Sequence, residues 1–203
     1  MSALGSAAKG SPSANKSGTS GSSGSSGSGG GSADDGDDSD EEEEASPGSS
    51  STTAREPVRG DVIINELMAS NETTIMDPQA EFDDWIELHN VTGDQVDLSG
   101  WYLSDNPDNP RKWELPAGTV IGGNDYLIIW ADEDGSASVG LHASFKLSSD
   151  GEFLSLASPD ASDNHIMDQI DFGPQQQDVS FGRVSSEGSV YESLTPSPGE
   201  PNL

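Results

Sequence analysis

Apolar positions come in short bursts from residue 62 onward and are nearly absent before it. The bursts are VIINEL at 62–67, WIELHN at 85–90, WYLS at 101–104, YLIIWA at 126–131, FLSLAS at 153–158, IMDQIDF at 166–172 and VSFGRV at 179–184. Several alternate with a period of two. Ile86 and Leu88 share one face against Trp85, Glu87 and His89, and Ile166, Ile170 and Phe172 oppose Met167, Gln169 and Asp171. That period predicts extended strands with one face buried. YLIIWA is apolar on both faces, which predicts a central strand. Turn residues separate the bursts: Thr92-Gly93-Asp94, Ser99-Gly100, Pro116-Ala117-Gly118, Gly122-Gly123-Asn124-Asp125, Ser149-Asp150-Gly151 and Gly173-Pro174. Many short strands with such punctuation predict a sandwich or a barrel. No amphipathic stretch of about twelve residues suits a long helix. The best helical candidate is one turn after Asp77, with Asp77 as cap and Pro78 at the first helical position. The loop Ser70–Asp84 is long for a β domain, and long loops often carry function. The class is all-β.

The first 60 residues have a different character. Their large apolar residues are Met1, Leu4 and Val58, and every aromatic residue of the chain (5 Phe, 4 Trp, 3 Tyr) lies after them. Such a stretch cannot bury enough apolar surface to offset backbone ordering, roughly 1–2 kcal/mol per residue. Its middle reads SGTSGSSGSSGSGGGS, followed by the acidic block DDGDDSDEEEE at Asp34–Glu44. Residues 1–60 are expected to form a disordered Gly/Ser-rich and acidic linker, and 61–203 the folded domain. A Gly/Ser chain of that length spans roughly 40 Å r.m.s., and self-repulsion in the acidic block stretches it further. That block lacks the spacing of a calcium-binding EF-hand loop, and runs of like charge are usually solvated.

Charge narrows the partners. The 203 residues carry 8 Lys and Arg against 37 Asp and Glu, a net of −29. Residues 61–203 alone hold 27 acidic side chains and 4 basic ones (Arg111, Lys112, Lys146, Arg183), a net of −23. So strong an excess argues against nucleic acid and anionic lipid, which carry the same sign. With no cysteine there is no disulfide framework, thiolate metal site or cysteine nucleophile. No stretch approaches the roughly 18 consecutive apolar residues of a membrane span. Met1 is followed by no charged n-region with an apolar h-region, so no export signal is visible in this sequence.

An ordered string of motifs then carries a family likeness. INELMAS at 64–70, DDWIELHN at 83–90, VDLSGWYLSD at 96–105, KWELPAGTVI at 112–121, NDYLIIWADEDG at 124–135, LHASFKLSSDGEFLSL at 141–156 and TPSPGEPN at 195–202 resemble a lamin tail domain. The variety resembled is the prokaryotic one, found with spore-coat-H-type kinases and secreted hydrolases. The resemblance implies an immunoglobulin-like β-sandwich and no catalysis. In nuclear lamins such tails meet DNA, but this chain lacks the basic surface for it.

Candidate chemistry is sparse. Glu66 and Glu87 fall on signature strands, and paired carboxylates can act as acid and base. The structural alternative, which the resemblance favours, is that they accept hydrogen bonds from loop backbone and lock strand ends. His89, His142 and His165 show no metal-binding spacing. Nucleophile-elbow and phosphate-loop motifs are absent. Trp85, Trp101, Trp113 and Trp130 could stack on sugar rings, but each lies in or beside an apolar strand and is expected in the core, Trp113 being the best candidate for exposure. The loops Asp105–Asn109 and Asp132–Gly135 are oxygen-rich and turn-forming, as calcium loops are, and as Asx turns without metal are too. No catalytic, cofactor-binding or metal-ligating residue is assigned, and weak calcium binding by these loops is kept as the one ligand to test. The expected function is a non-catalytic interaction or anchoring module of a secreted or surface protein. The alternative is an accessory domain that recruits carbohydrate or a similar polymer to a larger secreted enzyme. An exposed row of tryptophans would favour the alternative, and an acidic, aromatic-poor surface the first. The partner expected is a protein or cell-surface component, with no nucleic acid and no membrane insertion.

Overall fold

The computed structural model describes residues 57–184 and 190–202. The linker expected over 1–60 therefore lies outside the described residues up to residue 56. From Pro57 the chain is placed. The Asp61 N–H donates to the Val58 carbonyl (3.0 Å), and the Val58 N–H to the Asp61 carboxylate (2.6 Å), closing a turn just ahead of the first strand.

Among the described residues the chain forms twelve strands: β1 (Val62–Met68), β2 (Trp85–Asn90), β3 (Val96–Asp97), β4 (Tyr102–Ser104), β5 (Trp113–Glu114), β6 (Val120–Ile121), β7 (Tyr126–Ala131), β8 (His142–Ala143), β9 (Glu152–Ala157), β10 (Ile166–Phe172), β11 (Ser180–Arg183) and β12 (Tyr191–Leu194). A single 3-10 turn, Asp160–Ser162, joins β9 to β10. One sheet has the order β12-β11-β1-β2-β7-β8, a second β10-β9-β4-β5, and β3 pairs with β6. The pairing of β7 with β8 is parallel and the other ladders are antiparallel. The fold is the expected all-β sandwich.

Side chains from both large sheets meet in one core. Ile64, Leu67, Ile86, Leu88 and Ile129 come from the first sheet, and Leu103, Leu154, Leu156, Ile170 and Phe172 from the second. Each such side chain contributes about 1.5–3 kcal/mol on burial. Two bulges modify the alternation read from the sequence. On β1 the register slips between Ile64 and Glu66. Val62 and Ile64, then Leu67 and Ala69, thus reach the core, while Met68 joins a separate cluster. On β10 the slip between Ile166 and Asp168 turns Met167 inward beside Ile170 and Phe172, where strict alternation had opposed them. An inserted residue moves every side chain beyond it to the other face.

The other face of the six-stranded sheet is covered as well. Met68, Trp85 and Trp130 form a second apolar cluster, with Ile75 from the long β1–β2 loop and Ile128 packed against it. The Asn71 amide holds that loop by donating to the carbonyls of Ile75 (2.7 Å) and Asp83 (2.8 Å). Asp77 caps a turn, its Oδ1 accepting the N–H groups of Gln79 (2.9 Å) and Glu81 (2.8 Å). No helix follows, because Ala80 adopts the left-handed region with φ 68°.

Candidate functional site

The two signature carboxylates stand side by side. Glu66 on β1 is the register partner of Glu87 on β2, and the two residues are 1% and 0% exposed. The segment after β12, Thr195–Asn202, lies over them as a strap. Ser197 donates to Glu66 through its N–H (3.2 Å to Oε1) and its hydroxyl (3.3 Å to Oε2). The Gly199 N–H donates to Glu87 Oε2 (2.6 Å), and the Asn65 amide to Oε1 (2.7 Å). Asn202 completes the closure by donating to the carbonyls of Asn65 (3.1 Å) and Arg183 (2.7 Å). Gly182 makes room for it, since a Cβ there would lie 2.7 Å from the Asn202 amide nitrogen. Burial pushes the Glu87 carboxyl up to about 7, against the Gly199 and Asn65 hydrogen bonds and with the help of the Glu66 charge. Burial also raises Glu66, opposed by hydrogen bonds from Ser180 and Ser197. The pair is a strand-to-strap clasp, with both carboxylates turned to backbone and amide donors rather than toward an open cleft.

Beside the clasp lies an ion pair that sequence reading missed. Arg183 on β11 sends Nη2 to both oxygens of Asp168 on β10 (2.8 and 2.7 Å) and Nε to the Ile64 carbonyl (3.0 Å). Asp168 in turn accepts the Ile64 N–H (2.7 Å), and the guanidinium lies 4.7 Å from the centre of the Tyr191 ring. These bonds satisfy the backbone of β1 at its bulge and join the two sheets. Neither residue belongs to a recognisable motif; one of four basic side chains in an acidic domain was the only signal available.

The histidines separate into three situations. His89 stacks on Tyr126, ring centres 4.3 Å apart, and burial lowers its basicity. His165 is exposed. His142 is 7% exposed and its Nδ1 lies 2.6 Å from Asp132 Oδ2. Of the tryptophans, Trp85, Trp101 and Trp130 are 0%, 1% and 7% exposed, and Trp113 is half-buried against the main core. They form no surface row.

In the acidic loops the oxygens have partners. Lys112 Nζ bonds both carboxylate oxygens of Asp105 (2.6 and 2.7 Å), and Asn106 Oδ1 accepts the Asp108 N–H (2.9 Å). Asp132 Oδ1 accepts the Asp134 N–H (2.9 Å), and Asp134 Oδ1 accepts from Ser136 N–H (3.0 Å) and hydroxyl (2.6 Å). These are Asx turns. A cavity of about 660 Å³ opens near the beginning of the domain, with Pro57, Trp101, Pro159 and Met167 in its walls and Arg59 and His165 among its polar lining. No sequence pattern announced it, because its walls come from three separated stretches.

Residues 55–174 match the lamin tail domain family, more than half of the chain. The chain belongs to that family. Its β-sandwich is the non-catalytic, immunoglobulin-like fold of an interaction domain. No curated protein matches the chain. The match ends at Pro174, so β11, β12 and the strap lie beyond it, and with them Arg183 and the strap donors Ser197 and Gly199 to Glu66 and Glu87. No helix among the described residues is long and apolar enough to cross a membrane.

Proposed function

We propose that this lamin tail domain is an anchoring module of a secreted or surface protein, of the prokaryotic variety. The observation that carries this reading is the destination of the tryptophans. Three of the four are buried and the fourth packs on the core. Sugar recognition by stacking needs flat aromatic faces open to solvent, so the carbohydrate-recruiting alternative loses its main support. A net charge of −23 over residues 61–203 remains as the dominant surface property. Such a field steers association with basic protein surfaces and repels nucleic acid. The partner is thus a protein component of an envelope.

The test uses the full chain, fluorescently labelled, and envelope fractions of its source cells pretreated with protease or with glycosidases. Retention that disappears after protease and survives glycosidase is the expected result. Co-sedimentation with purified cellulose, chitin or peptidoglycan would transfer the domain to the polymer-recruiting class. Failure to bind any untreated fraction would overturn the anchoring role itself.

A further inference from the structure

We propose that His142 is a pH-controlled tie that fastens the loop between β7 and β8 to the long loop between β1 and β2. This inference is independent of what the domain binds. It starts from the hydrogen bonds around one ring. The His142 side chain is 3% exposed; Nδ1 lies 2.6 Å from Asp132 Oδ2 and Nε2 lies 2.9 Å from the Val139 carbonyl. Both neighbours are acceptors. A neutral imidazole has one N–H and can serve only one of them, whereas imidazolium donates to both. A carboxylate oxygen of Asp77, from the β1–β2 loop, lies within 4.8 Å of one ring nitrogen of His142 and of one Asp132 carboxylate oxygen. The ring thus hydrogen-bonds within its own loop, to Asp132 and Val139, and reaches the β1–β2 loop through the nearby charge of Asp77.

The same trio could suggest a metal site, and its geometry argues otherwise. Tetrahedral zinc bonds of about 2.0–2.2 Å hold two ligand atoms about 3.3–3.6 Å apart. The 2.6 Å between Nδ1 and Asp132 Oδ2 is a charge-assisted hydrogen bond instead. Gly140, with φ 95°, lets the loop backbone pass close to the ring, since a Cβ there would lie 2.8 Å from Nε2. The charges around the ring are strongly one-sided. Asp77, Glu81 and Asp83 come from the β1–β2 loop and Asp132 and Asp134 from the β7–β8 loop, with Lys146 alone of opposite sign, its backbone bridged to that of Asp132. Burial disfavours the imidazolium, but the Asp132 and Val139 hydrogen bonds and the charges of Asp132 and Asp77 outweigh it and raise the basicity of His142 above the usual value.

Loss of that proton removes one hydrogen bond and leaves two enclosed carboxylates without their cation. Other links between the two loops include the Gln79 amide, which reaches the Val139 carbonyl at 3.2 Å, and the Pro78 ring, which lies close to Gly140. In the opened loop His142 regains an ordinary value near 6.5. The tie is therefore complete below about pH 6.5 and weakens as pH rises through the raised value of the closed form.

The experiment is an NMR titration of the full ¹⁵N-labelled chain from pH 5 to 9, following the ring nitrogens of His142 and the hydrogen-exchange protection of residues 134–140. His142 should carry protons on both nitrogens at pH 6 and lose one only above the ordinary histidine value near 6.5. Over that interval loop protection should fall by up to tenfold per pH unit, while β2 and β9 hold theirs. His142→Gln should make loop protection independent of pH, and His165→Gln should change nothing. A neutral His142 at pH 6 would overturn the proposal, as would loop protection that stays constant from pH 5 to 9. Equimolar zinc that shifts the His142 ring signals and cancels the pH dependence would also overturn it, in favour of a metal site.

Discussion

Two pairs of carboxylates are enclosed in this domain, and they are held in opposite ways. Asp77 and Asp132 face a histidine that supplies positive charge. Glu66 and Glu87 face Ser197, Gly199, Asn65 and each other, and among the described residues the groups acting on them include no cation. Without a counter-charge the second pair has to retain a proton near neutrality, which is why Glu87 is pushed up to about 7 by burial. An enclosed carboxylate pair needs a cation or a proton, because two like charges in a low-dielectric setting cannot both persist. The difference also separates the two in pH. Folded Glu87 binds its proton more tightly than the unfolded chain, so its contribution is complete below about pH 4.5 and is lost as pH rises to about 7. The His142 contribution is lost only above about 6.5.

Removing the strap should break the comparison most severely. A chain ending at Leu194 loses the donors from Ser197, Gly199 and Asn202. At about 0.5–1.5 kcal/mol for each hydrogen bond, the loss should be about 3–5 kcal/mol in urea unfolding. The carboxylates, opened to water, should also cease to contribute any slope between pH 4.5 and 7. Stability unchanged by the truncation would mean the strap merely rests on the sheet.

His142→Ala comes next, at about 3 kcal/mol when measured at pH 6, because it leaves two enclosed aspartates without their cation. Glu87→Gln should cost less, about 1–2 kcal/mol, since its single carbonyl can serve one of the two donors that Glu87 serves. The glutamine variant sharpens the comparison through its pH profile. In about 0.5 M NaCl, where surface repulsion is screened, the natural chain should lose up to about 1.4 kcal/mol per pH unit in the Glu87 interval. The variant should lose the Glu87 share of that slope, keep the shallower decline due to Glu66 and Asp84, whose carboxyls burial also raises, and still decline at higher pH, where His142 acts. A variant with the natural slope would place the retained proton on another group.

The strands carrying this arrangement were legible because VIINEL, WIELHN, YLIIWA and IMDQIDF write their period in apolar residues. The strands of two residues, β3, β5, β6 and β8, are too short to show a period, and β12 reads YESL, too polar to announce itself. Met167 was placed on the wrong face because a bulge leaves no trace in composition. Glu66 and Glu87 stood out as strand carboxylates, and a part as acceptors of loop hydrogen bonds was already open to them. Their donors could not be named, because Ser197 and Gly199 are more than 100 residues away from them in the chain. His142 looked like a lone histidine for the same reason, since Asp77 meets it only through folding. Local pattern encodes elements; pairs of charges across loops are written by topology.

The smallest effect concerns the surface charges, which neither enclosed pair shares. A net of −23 over residues 61–203 means mutual repulsion in the compact state that unfolding relieves. Raising NaCl from 0.01 to 0.1 M shortens the screening length from about 30 to about 10 Å, so the melting temperature should rise over that range. From sequence alone, the loops Asp105–Asn109 and Asp132–Asp134 predicted a small further gain from calcium. Their geometry removes the reason for it. Asp105 already has Lys112 on both oxygens, Asp132 has His142, and Asp134 has Ser136. A cation arriving there would displace formed bonds and gain little. At matched ionic strength CaCl2 and NaCl should therefore give the same melting temperature, a difference below about 1 kcal/mol in stability. Site binding behaves otherwise: it saturates, following RT ln(1 + [L]/Kd), and persists in 0.1 M NaCl. Saturating stabilisation by calcium that is abolished by Asp105→Asn would show that Lys112 yields to a metal. A melting temperature unmoved by either salt would show that the surface carboxylates are compensated locally, as the enclosed pairs are.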